Sequence, residues 1–91
     1  MDISVKEKFN NAFKLHGSGK TDEAEKLYLE VLQETPENYE VLNLLGILYF
    51  TQNELSKAEE YIVKAISLKK DAYFYENLAK VYEKKKDYVS E

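Results

Sequence analysis

The chain has 91 residues, 44% of them apolar and 33% charged, which allows one domain and excludes the disordered class. Cysteine is absent, which rules out disulfides and thiolate metal sites. The net charge is −4 and all thirteen basic residues are lysine, a poor endowment for nucleic acid, where phosphate neutralisation supplies most of the affinity and guanidinium forks supply much of the grip.

Helix formers dominate, with one Pro and three Gly, so nearly the whole chain is expected to be helical. "MDISVKEKFNNAF" lacks the apolar core of a signal peptide, and no stretch approaches ~18 consecutive apolar residues, so neither a leader nor a membrane span is expected. The default location is cytoplasmic.

The first helix is expected to start after the capping-box sequence Ser4-Val-Lys-Glu7 and to stop near Gly17 and Gly19. Thr21 reads as the cap of a second helix, with Asp22 and Glu23 favourable to its dipole. Pro36 reads as the opening of a third helix, where a missing N–H costs nothing. Asn53 takes the part of Gly19, and a fourth helix is expected from about 55 to 68. Asp71 caps a fifth, over roughly 72–85.

Sliding the sequence by 34 residues puts Ala12 on Gly46, Leu15 on Tyr49, Gly19 on Asn53, Ala24 on Ala58 and Tyr28 on Ile62. A further shift of 33 puts Leu42 on Tyr75, Leu45 on Leu78, Gly46 on Ala79 and Tyr49 on Tyr82. Such periodicity signals a stack of supersecondary units, each covering the apolar face of its neighbour. Ala12, Gly46 and Ala79 recur where helices must approach closely; Gly46 in mid-helix costs about 1 kcal/mol relative to Ala, which implies tight packing there.

This pattern resembles the tetratricopeptide repeat (TPR) family. The match is carried by Leu42, Leu45, Gly46, Tyr49, Ala58, Ile62 and Ala65 in residues 39–71. Residues 5–38 match at Ala12, Leu15, Gly19, Ala24, Tyr28, Val31 and Pro36, with Lys8 and Asn11 in place of large apolar residues. A partial repeat over 72–91 matches at Tyr75, Leu78, Ala79 and Tyr82, with "DYVSE" resembling the entry to a second helix and Lys70 where the family's Pro would stand. The resemblance implies one all-α domain over residues 1–91, a helical-hairpin solenoid of about two and a half repeats and five helices. Met1 fits a natural start and Glu91, inside an unfinished repeat, fits a cut end.

No catalytic constellation is present: one His, no Cys and no Gly-rich phosphate loop. His16 lacks evident co-ligands and reads as an exposed or groove-edge imidazole, and Lys84-Lys85-Lys86 reads as a solvated helix end. No enzyme activity, cofactor, metal, nucleic acid or membrane partner is expected. The resemblance implies a concave groove lined by the first helix of each repeat, and Phe9, Phe13, Asn43, Ile47, Phe50 and Tyr73 are the expected contacts for a peptide or partner helix. The family's terminal-carboxylate clamp is missing, because Phe9, Phe13, Leu44, Tyr73 and Asn77 occupy its positions. Tyr75, Leu78 and Tyr82 are expected to be left partly bare and to support self-association, in the form of a two-fold dimer. The function expected is that of a protein-binding scaffold module. The alternative is the N-terminal part of a larger bacterial protein, such as a glycosyltransferase or methyltransferase, where the repeats recruit substrate proteins or drive oligomerisation.

Overall fold

The computed structural model describes residues 4–89, with side chains for residues 4–87. Five helices follow in order: α1 (Val5–Gly17), α2 (Thr21–Glu34), α3 (Tyr39–Thr51), α4 (Leu55–Leu68) and α5 (Ala72–Val89). α1 pairs with α2 and α3 with α4; α3 also packs on α2, and α5 on α4 and α3. The result is an elongated stack of hairpins, 51 × 27 × 17 Å, with no strand among the described residues. This is the helical-hairpin solenoid that the repeat spacing implied.

Local chemistry sets the helix ends. The Ser4 hydroxyl oxygen accepts the Glu7 amide at 3.2 Å, but among the described residues the Glu7 carboxylate meets only the Ser4 hydroxyl, so half of the capping box forms. Gly19 (φ 84) and Asn53 (φ 65) both take the left-handed conformation that turns α1 into α2 and α3 into α4, as their shared register required. Lys86 stands at that register in the third unit. A lysine disfavours positive φ and favours helix, so α5 runs on to Val89 instead of stopping near residue 85. Of "DYVSE", Asp87 to Val89 therefore extend α5 and do not enter a second helix, while Ser90 and Glu91 lie outside the described residues.

Two expected helix starts move. Thr21 lies inside α2 as its first residue and Lys20 is the cap, with no side-chain bond. Pro36 lies in a turn closed by the Asn38 amide donating to the Thr35 carbonyl at 3.0 Å, a position that suits its fixed φ. α3 starts beyond it, because Asn38 Oδ1 accepts the Val41 amide at 3.2 Å and supplies the cap. Asp71 does cap α5, accepting the Tyr73 amide at 2.8 Å.

The core is made of the small and apolar residues that recur with the repeat: Ala12, Ala24, Tyr28, Val31, Leu45, Leu48, Ala58, Ile62 and Val81 are all fully buried. Burial of each large side chain contributes roughly 1.5–3 kcal/mol. Gly46 sits against α4: a Cβ there would collide with Ile62 Cγ1 and come within 3.2 Å of the Ala58 carbonyl oxygen. At the N-terminal end, Lys8 stands where the family has a large apolar residue and is half-buried. Its ammonium holds Glu34 at 2.7 Å and Glu30 at 3.7 Å on α2, and the Glu34 bond raises its pKa.

Candidate protein-binding groove

The first helices, α1, α3 and α5, line up along one side, and three shallow depressions follow each other across them. The first is bounded by Val5, Lys6, Phe9 and Asn10 of α1 with Asn38 and Glu40. The second, about 280 Å³, lies among Tyr39, Glu40, Asn43, Lys69, Tyr73 and Phe74. The third, about 260 Å³, lies among Ile47, Phe50 and Thr51 of α3 and Tyr73, Asn77 and Lys80 of α5. Glu40 is shared by the first two and Tyr73 by the last two, so they form a continuous strip.

The six residues expected in the groove have different parts in it. Tyr73 is exposed; Ile47 and Phe50 are half-buried walls of the third depression, and Phe9 is a half-buried wall of the first. Phe13 is 56% exposed, and it lines none of the three. Asn43 is 2% exposed: it is part of the floor, and its Oδ1 accepts the Asn77 amide at 3.1 Å. A buried polar pair is tolerated when its groups bond to each other, and here it ties α3 to α5 beneath the strip.

Sequence reasoning had given Asn77 no place in this floor. The signal was available, since Phe74, Asn77 and Val81 share one face of α5 at helical spacing and all three are buried. The Lys84 ammonium lies 5.0 Å above the Phe50 ring, a cation–π contact at the edge of the third depression. Lys80 and Lys84 thus stand beside an aromatic wall, and Lys80 enters no ion pair among the described residues.

His16 is half-buried and hydrogen-bonded, not an exposed imidazole: its Nδ1 lies 3.2 Å from the Tyr28 hydroxyl, with the rings edge to face. Burial pulls its pKa below the ordinary 6.5 and pushes that of Tyr28 up to about 12. Among the described residues no group of three or more His, Cys, Asp or Glu could hold a metal ion. Among the described residues no helix is long and apolar enough to cross a membrane.

On the opposite, convex side a broader depression lies between α2 and α4, walled by Leu29, Leu32, Pro36, Leu42, Tyr61 and Leu68. Sequence reasoning had not singled it out. Its apolar lining comes from the second helices, where the repeat places residues that pack neighbouring units together.

The tetratricopeptide repeat model matches residues 15–81, well over half of the chain. This chain belongs to the tetratricopeptide repeat family. The match takes in α2, α3 and α4 whole, together with the Gly19 and Asn53 turns and the buried face of α5 as far as Val81. TPR units are generally protein–protein interaction modules, so the chain falls in that class. No curated protein matches it.

Proposed function

We propose that this TPR chain is a non-catalytic scaffold that binds a peptide or partner helix along the strip on α1, α3 and α5. The reading is carried by the third depression, where Ile47, Phe50 and Tyr73 leave apolar surface open around a bonded asparagine floor. Three or four apolar anchors at roughly 1.5–3 kcal/mol each offset association costs enough for micromolar binding. The test is NMR titration with peptides selected from a random display library. Shifts centred on Phe9, Ile47, Phe50 and Tyr73, with binding lost in Phe50→Ala/Tyr73→Ala at unchanged helicity, support the groove. Shifts confined to α2 and α4, around Leu29 and Leu68, reject it.

A second association surface is favoured by the exposure of Tyr75 and Tyr82, with half-buried Leu78 between them, at the C-terminal end of the stack. A two-fold dimer is its simplest form. Sedimentation equilibrium over a hundredfold concentration range tests that form, and a monomer throughout rejects it.

A further inference from the structure

The three depressions of the concave strip differ in charge. Lys6 and Glu40 share the first, and Glu40, Lys69 and Asp71 the second, so each carries both signs. The third carries one. Among the described residues its charged wall is Lys80, and the Lys84 ammonium stands at its edge, 5.0 Å from the Phe50 ring.

No carboxylate lines the third depression from the elements around it. On α3 and in the turn after it, Leu44 to Asn53 include no charged side chain. On α4, Glu59 is held by Lys85 and Glu60 by Lys64. On α5, Glu76 and Glu83 lie one turn from Lys80, yet they line none of the three depressions. Neither pairs with Lys80 among the described residues. The other polar walls are already engaged: the Thr51 hydroxyl donates to the Leu48 carbonyl at 2.7 Å, and the Asn77 amide donates to Asn43. Lys80 is exposed, and its ammonium offers donors and no acceptor.

We propose that the third depression takes an apolar side chain of a partner peptide flanked by aspartate or glutamate, whose carboxylate pairs with Lys80 and Lys84. This rests on the concave strip being the binding surface, and it adds the charge required beside the anchor. The anchor packs among Ile47, Phe50 and Tyr73; Lys80 belongs to the same wall, so the residue next to the anchor lies within its reach. A bond from an ammonium to a carboxylate is stronger than one to a neutral acceptor, which makes the site selective for an acid over its amide. The carboxylate is that of a side chain. The positions of the family's terminal-carboxylate clamp hold Phe9, Phe13, Leu44, Tyr73 and Asn77, none of them a cation.

The probes are three pools of decapeptides, acetylated and amidated so that no terminal carboxylate contributes, with Phe fixed at position five. Positions four and six are both Asp in the first pool, Asn in the second and Lys in the third; the rest are random. Each pool is titrated into labelled protein and followed by NMR. The Asp pool is expected to shift the amides of Ile47, Phe50, Tyr73 and Lys80. It should bind about fivefold tighter than the Asn pool at low salt, the gap closing as salt rises. Lys80→Gln/Lys84→Gln should abolish the gap, and Lys80→Glu should make the Lys pool the tightest. Lys26→Gln, which removes one charge from the exposed side of α2, should leave the gap as it is. Equal binding of the Asp and Asn pools at Ile47, Phe50 and Tyr73 would overturn the charge assignment and leave the groove standing as the binding surface. A gap that Lys26→Gln also erased would overturn it too, since net charge alone would then account for the preference. No shift on the strip with any pool would remove both the assignment and the groove.

Discussion

Asn77 donates its side-chain amide to Asn43 at 3.1 Å, and both residues are almost fully buried, at 7% and 2% exposure. Removing one partner strands the other's polar group, so Asn43→Ala and Asn77→Ala should each cost about 1–3 kcal/mol. The double variant should cost less than the sum by at least about 0.5 kcal/mol. Urea unfolding of the four proteins measures this coupling; strict additivity would mean that the pair contributes nothing as a pair.

Gly46 should not tolerate a methyl group. An alanine there gains about 1 kcal/mol of helix propensity, but its Cβ collides with the branched Ile62 side chain, and overpacking of this kind costs about 1–3 kcal/mol. Gly46→Ala is therefore expected to lower stability in the wild-type background and to be neutral or stabilising on Ile62→Ala. Thermal unfolding in both backgrounds checks the reversal of sign.

The Asn38 cap makes a further expectation. Asn38→Ala removes the bond to the Val41 amide and should cost about 1 kcal/mol, whereas Asn38→Ser should retain most of the stability. Hydrogen exchange of the first turn of α3 should quicken in the alanine variant only.

His16 should make stability depend on pH near neutrality. Burial holds its folded pKa below 6.5, so below pH 6.5 the unfolded chain binds more protons than the folded one. Stability is thus full above pH 6.5 and falls as pH drops from there toward the folded pKa. His16→Gln should flatten this part of the profile. An NMR titration of the imidazole that gave a pKa at or above 6.5 would contradict the burial argument.

The repeat period, the small residues at Ala12, Gly46 and Ala58, and the left-handed turns at Gly19 and Asn53 determined the hairpin solenoid. Each of these depends on local backbone preference or on one spacing. The candidate groove was legible only in outline. The family resemblance implied a common side for Ile47, Phe50 and Tyr73, yet it could not tell that Asn43 faces inward, because its burial depends on how closely α5 approaches α3. The end of α5 also escaped, since Lys86 breaks the turn register of the two earlier units. Pairings between residues far apart in the chain were decided by tertiary structure alone: Lys8 with Glu34, His16 with Tyr28, Lys84 over Phe50. A sequence specifies which face a side chain takes on its own helix. The distance and crossing angle between helices are set by the sum of all packed contacts, and these fix which side chains on neighbouring helices meet.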